Sequence, residues 1–239
     1  FDESMAVYTK HKDWKVHAGK FKPISQAVGV LFESMSGKKG FLPGPVITAS
    51  ALVNNQAFIL SINGVTTLEG DALFGNYANA LTIPNSLTTV MGSALNINAQ
   101  ILEFEEGRVD TAFMVDSRPD ANVVILPSTM TELTGWVIGN VPRVIVSKAA
   151  VPPTLGVWDA YSWNANNTEY RTSLGSWYSR SGTGCEALYV PAGSIEAYRA
   201  DPRWTMYTAN ILPLDELDYG NVKKIKMTAS GSYYQVNGT

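Results

Sequence analysis

The chain has 239 residues, 45% of them apolar and 16% charged, with a formal net charge of −3; that is enough apolar content for the core of one elongated domain or two. The charge balance leaves no basic stripe for nucleic acid, and no run of about eighteen or more apolar residues offers a membrane span. The single Cys185 allows no internal disulfide and reads as a small buried hydrophobe beside the strand at Leu188.

Residues 1–58 are expected to form a β-rich N-terminal cap or small domain. The stretch is locally basic through Lys10, Lys12, Lys15, Lys20 and Lys22. Ala27 to Phe32 reads as a strand, Ser36-Gly37-Lys38-Lys39-Gly40 as a turn, and Phe41-Leu42 as a second strand stopped by Pro43 and Pro45. His11 and His17, with Asp13 between them, lack the Cys or carboxylate company of a metal site and read as exposed polar side chains. Neither a metal nor a cofactor is expected.

From Leu60 to Pro191 one phrase returns: two apolar residues separated by one other, often followed by proline. Leu81-Thr82-Ile83-Pro84, Val124-Ile125-Leu126-Pro127 and Leu188-Tyr189-Val190-Pro191 carry it whole. Leu60-Ser61-Ile62, Leu102-Glu103-Phe104 and Val144-Ile145-Val146 drop the proline. With the second apolar residue as a mark, positions 62, 83, 104, 126, 146 and 190 are separated by steps of 21, 21, 22, 20 and 44. Further apolar residues recur after the mark, at Leu87, Val90, Ala94 and Leu95 in one copy and at Met130, Leu133, Trp136 and Val137 in another. Val65, Leu68, Ala72 and Leu73 keep the same beat one residue early. A period of about 20–29 residues with one strand each predicts a β-rich α+β, leucine-rich-repeat-type solenoid, in which a unit too small to close its own core is covered by its neighbours.

The phrases LTIPNSLTTV, VVILPSTMTEL, KAAVPPTLGVWDAY (148–161) and LYVPAGSIEAYRADPRW (188–204) resemble the BspA-like leucine-rich repeat proteins of Bacteroidetes cell surfaces, over about residues 59–214. The copies marked at 104 and 146 depart from that pattern. The resemblance implies a surface-exposed, non-catalytic recognition or adhesion protein and brings no catalytic residues with it.

The middle residues of the phrase, Ser61, Thr82, Glu103, Ile125, Ile145 and Tyr189, are expected on the face opposite the core. That face turns apolar at Ile125, Ile145 and Tyr189, so it is either a contact surface or is covered by another segment, and cover is the simpler expectation. Between Val146 and Leu188 the period slips around an aromatic insert at about 158–181, with Trp158, Tyr161, Trp163, Tyr170, Trp177 and Tyr178 among Asn and Ser residues. Loops on a rigid stack are where binding residues gather. Trp163, Tyr170, Trp177 and Tyr178 are therefore candidate binding residues, with packing of the solenoid's end as the structural alternative; Trp158 is expected in the core and Trp177 exposed.

Ser194 is expected to cap a short helix to Ala200, with Glu196 in its first turn, and Tyr198, Trp204, Tyr207 and Ile211 to fold back and close the stack. Residues 215–239 read as an acidic turn, a strand near Val222–Met227 and a tail. Glu103, Glu105, Glu106 and Asp110 read as a solvated acidic rim, since no acid–base partner accompanies them. No phosphate loop, nucleophile elbow or zinc-protease helix occurs, so the chain is not expected to be an enzyme. The start at Phe1, without a Met or an apolar leader, reads as a processed product whose secretion signal has been removed. The expected function is a secreted or cell-surface adhesion protein that holds a protein or glycan at the repeat face or the insert. The alternative is a structural subunit of a larger assembly, such as a phage virion or fibre, with an assembly partner in place of a ligand.

Overall fold

A computed structural model describes residues 26–114, 117–134, 137–164, 167–178, 185–218, 225–227 and 233–235, with the backbone only at 157–164, 167–172, 176–178, 225–227 and 233–235. His11, Asp13, His17 and the lysines at 10, 12, 15, 20 and 22 lie outside these residues.

The chain enters through an antiparallel hairpin of β1 (Gly29–Glu33) and β2 (Lys39–Pro43). Ser34 closes its turn, accepting from the Gly37 N–H through its carbonyl at 2.8 Å and from the Lys38 N–H through its hydroxyl at 3.1 Å. Two strands about a turn fall close to where the sequence puts them, but Lys39 and Gly40, read there as turn, open β2. From β3 (Val46–Ile47) the chain winds into a parallel-strand β-solenoid of about six turns.

Each turn lays a two-residue strand on a narrow wall and a longer one on a wide wall. The first turn comprises β3 and β4 (Phe58–Ser61), the second β5 (Thr67–Leu68) and β6 (Tyr77–Ile83), and the third β7 (Thr89–Val90) and β8 (Asn98–Phe104). In the fourth, a single bridge from Val90 to Met114 precedes β9 (Asp120–Leu126); the fifth supplies β10 (Glu132–Leu133) and β11 (Val144–Ser147). The sixth starts at β12 (Thr154–Leu155). It is interrupted by a three-stranded antiparallel insert of β13 (Val157–Asn164), β14 (Asn167–Thr172) and β15 (Gly175–Tyr178), and closes at β16 (Ala187–Val190).

The paired apolar residues build the core. Leu81 and Ile83, Leu102 and Phe104, Val124 and Leu126, and Leu188 and Val190 are all buried between the walls, and Leu68, Val90, Leu133 and Leu155 meet them from the narrow side. Leu87, Ala94, Leu95, Met130 and Val137, the residues that recur after the marks, are buried as well. Prolines at 84, 127 and 191 follow the wide-wall strands directly, where a residue without an N–H ends the ladder at no further loss. The third side is a ladder of turns: the Leu52 N–H donates to Ala72 O at 2.8 Å and the Leu73 N–H to Ala94 O at 2.9 Å. Asn76 staples the first turns from inside. Its Oδ1 accepts from the Ala57 N–H at 2.9 Å, and its Nδ2 donates to Leu52 O at 2.6 Å and Leu73 O at 2.9 Å.

Two sequence expectations are corrected. In the ladder Val124 faces Ile145 and Leu126 faces Ser147, so the fifth mark falls at 147, not 146. A shift of one residue turns every side chain to the other face, and Ile145 therefore sits in the core while Val144 and Val146 point away from it. In the first turn Ile59 is buried and Leu60 is 37% exposed, so Leu60 does not belong to the inward pair.

After β16 a single-turn 3-10 helix (Ala192–Ser194) leads to α1 (Ile195–Ala200) and α2 (Pro202–Thr205). Ser194 occupies the cap position and is buried, but its side chain makes no cap hydrogen bond; Asp201 caps α2, accepting from the Arg203 N–H at 2.9 Å. Tyr198, Trp204, Tyr207 and Ile211 are buried as expected. Tyr198 meets Trp204 edge-on at 5.1 Å, and the Trp204 indole N–H donates to Pro153 O at 3.0 Å. β17 (Ile211–Pro213) then adds a last parallel strand beside β16. Beyond it lie a 3-10 turn (Leu214–Glu216) and an antiparallel pair, β18 (Ile225–Met227) and β19 (Tyr233–Gln235), where the sequence predicted one strand.

Candidate functional site

The outer face of the wide wall begins polar, with Thr82 exposed and Glu103 half-exposed, and turns apolar at Ile125. It is not open there. Ile101, Val123, Ile125 and Val146 form a second apolar cluster with Leu217, and Val144, Tyr189 and Leu214 pack against it. The segment after β17 therefore crosses back over the sheet as a strap, and β18 comes alongside β8. Of the three residues expected on this patch, Ile125 is buried beneath the strap, Ile145 faces the core, and Tyr189 is half-buried at the strap's margin. They do not form a ligand surface. Cover was the expectation, and the C-terminal segment supplies it through Leu214 and Leu217.

The insert is fixed to the solenoid by the turn between β14 and β15. Leu174 is buried in the main core. Ser173 Oγ donates to Leu133 O at 2.7 Å, Ser173 N donates to Gly156 O at 3.0 Å, and the N–H groups of Val137 and Ile138 donate to Ser173 O at 2.9 and 3.2 Å. At Gly175, with φ of 107°, a Cβ would lie 2.4 Å from Asn140 C and Val141 N, so this backbone approach requires glycine. In register Tyr170 faces Trp177 on β15 and Ala160 on β13, while Glu169 faces Tyr178 and Tyr161. The side chains of Trp158, Trp163, Tyr170, Trp177 and Tyr178 lie outside the described residues.

The acidic cluster ties turns together. Lys148 Nζ lies 3.0 Å from Glu103 and 3.3 Å from Glu106. Glu106 accepts from the Ser128 N–H and hydroxyl, and Glu105 from the Asn85 N–H at 2.6 Å. Arg108 donates to Pro84 O and Leu87 O and lies 4.2 Å from the centre of the Phe113 ring. Cys185 is buried, with its Sγ 2.9 Å from Ala187 O; burial pushes its thiol up to about 12, which leaves no thiolate at neutral pH. Among the described residues no group of three or more His, Cys, Asp or Glu is arranged to hold a metal.

Sequence reasoning missed a cleft of about 320 Å³ at the N-terminal ends of the wide-wall strands, lined by Asn98, Asp120, Ala121, Asn122, Asn140, Val141 and Arg143. Asp120 Oδ1 accepts from Asn140 Nδ2 at 2.8 Å, and burial raises its carboxyl above the usual carboxylate range against that hydrogen bond. Gly139 leaves room for the carboxylate, since a Cβ there would lie 2.5 Å from Asp120 Oδ1. Arg143 is held by a bidentate pair to Glu186, at 2.8 and 2.9 Å. The signal was present in the repeat: Asn98 and Asp120 stand six residues before the marks Phe104 and Leu126 and face each other in the ladder.

No family model matches this chain, and no curated protein or solved structure matches it either.

Proposed function

We infer that this chain is a non-catalytic, secreted or cell-surface binding protein of the leucine-rich-repeat type, holding a protein or glycan ligand through the insert. The β1–β2 hairpin serves as its N-terminal cap. One observation carries the reading: an aromatic-rich three-stranded insert interrupts an otherwise regular solenoid and is bolted to it through the buried Leu174 and the hydrogen bonds of Ser173. A rigid stack that carries an anchored segment rich in Trp and Tyr has the build of a recognition element, because such rings offer large contact area at small entropic cost. The apolar patch that would have separated a binder from an assembly subunit is closed by the chain's own strap and favours neither. The test is binding of wild type, Trp163→Ala and Trp177→Ala on a glycan array and a peptide-display library. Selective binders weakened in the variants are expected, and equal signals from all three proteins would dispose of the insert as the ligand-holding element.

A further inference from the structure

Two residues that line the cleft share a ladder row with an aromatic pair. In register, Phe58 on β4 faces Tyr77 on β6, Tyr77 faces Asn98 on β8, and Asn98 faces Asp120 on β9. All four are half-buried, and neighbouring strands lie about 4.8 Å apart, so the row is a line of partly exposed side chains across four turns, with the cleft at its Asn98 and Asp120 end. Its Phe58 and Tyr77 rings lie 5.8 Å apart. Gln100, two residues along β8 from Asn98, is buried with neither amide atom hydrogen-bonded.

We propose that this row and the cleft together form a groove that is a saccharide-binding subsite, with Asn98, Asp120, Asn122 and Asn140 bonding sugar hydroxyls and Tyr77 and Phe58 bearing the apolar face of the adjoining ring. The proposal rests on the binding-protein reading and names its ligand class. Carboxamides both donate and accept, as hydroxyls do, and the carboxylate adds acceptor positions. Other ligand classes fit less well. A divalent cation needs several oxygen ligands, usually with more than one carboxylate, and Asp120 is the one carboxylate lining the cleft. An anion needs an uncompensated cation, and Arg143 is already paired with Glu186. An apolar ligand would offer no partner to the carboxamides that line the cleft, at a cost that grows with burial. The flanking rings suit the C–H face of a pyranose, which stacks on aromatic surface while its hydroxyls reach the rim.

The test begins with a glycan array of gluco-, manno-, galacto- and N-acetylglucosamine oligosaccharides on the wild-type chain. Titration calorimetry then follows the best binder on Asn98→Ala, Asp120→Asn, Tyr77→Ala and Trp177→Ala, with each variant checked for an unchanged circular dichroism spectrum. At least tenfold weaker binding is expected in Asn98→Ala and Asp120→Asn, and a smaller loss in Tyr77→Ala. If these lose binding and Trp177→Ala keeps it, the groove holds the sugar and the insert does not. Loss in Trp177→Ala with the groove variants unchanged overturns the groove and leaves the insert reading standing. A wild-type chain that binds no sugar on the array also overturns the groove; peptide-display binders lost in Trp177→Ala would then preserve the binding reading by itself.

Discussion

Ser147 Oγ lies 2.7 Å from the Tyr198 hydroxyl, deep in the core, and the same hydroxyl lies 3.0 Å from Ala149 O, to which it donates. Ser147 takes the ladder position that Leu126 fills one turn earlier, and α1 supplies the partner that makes a polar residue tolerable there. Tyr198→Phe leaves both Ser147 and Ala149 O without that partner and is expected to cost about 1–3 kcal/mol in urea unfolding, whereas Ser147→Ala keeps the Ala149 bond and should cost about 0.5–1.5 kcal/mol. The double variant should cost less than the sum, because both changes remove one shared bond.

Asn76 answers three backbone groups from the buried interior of the first turns. Asn76→Ala orphans the Ala57 N–H and the Leu52 and Leu73 carbonyls, at about 1–3 kcal/mol for each group that water cannot reach. Asn76→Asp retains the acceptor for Ala57 and loses the donor, so it should also destabilise, and more strongly at neutral than at acid pH, where protonation removes the buried charge. Thermal unfolding at two pH values separates the two variants.

The repeat was legible at Ile83 and Phe104 because an apolar pair around a polar residue admits one register, and at Leu126 and Val190 because the proline that follows marks the end of the strand. It failed at Val144-Ile145-Val146, where three apolar residues in a row fit either register and no proline follows. The outer face is covered there as well, and a parallel strand buried on both faces gives a continuous apolar run without alternation. The strap that supplies the cover, Leu214 and Leu217, is remote in sequence and lies in an acidic stretch that reads as solvated. The groove was hidden for another reason. β6, β8 and β9 extend six residues before their marks, into Tyr77, Asn98 and Asp120, whose polar or mixed character carries no periodic signal. Contacts such as Ser173 with Leu133 and Asp120 with Asn140 join different turns, which no local pattern records.

Leu174 is the insert's bolt, and Leu174→Ala is expected to cost about 2–5 kcal/mol through the cavity it leaves. Gly175→Ala acts on the backbone: its φ of 107° and the 2.4 Å approach to Asn140 and Val141 leave no space for a methyl group. Both variants should expose the bonds between β13 and β15 to trypsin, for example after Arg171, at protease concentrations that leave the wild type intact. Unchanged cleavage in both would show that the insert is held by other contacts.

Asp201 gives a pH dependence of definite sign. Its hydrogen bonds from Arg203 hold the carboxyl below the usual range, against an opposing push from burial. A carboxyl depressed in the folded state stabilises the fold fully above its unfolded value of about 3.9 and loses that contribution as pH falls through the folded value. Arg203→Gln should therefore be less stable than wild type above about pH 5, with the gap closing in acid. A gap that persists unchanged to the acid end would assign the effect to packing of the Arg203 stem instead.

The strap makes the last prediction. A chain ended after Pro213 keeps β17 on the sheet but removes Leu214 and Leu217 from Ile101, Val123, Ile125 and Val146. Those four side chains span three adjacent strands, so the newly wetted surface is continuous, and a continuous apolar patch drives dye binding and self-association. Truncation should raise anilinonaphthalene sulfonate fluorescence and shift the sedimentation profile toward dimers and larger species. Leu217→Asp in the full chain tests the same contact without shortening it, since a carboxylate cannot settle on that cluster without losing its water. Similar dye binding in both variants would identify the Leu217 contact as the closure of this face; dye binding in the truncated chain but not in Leu217→Asp would move the closure to the residues after Leu217.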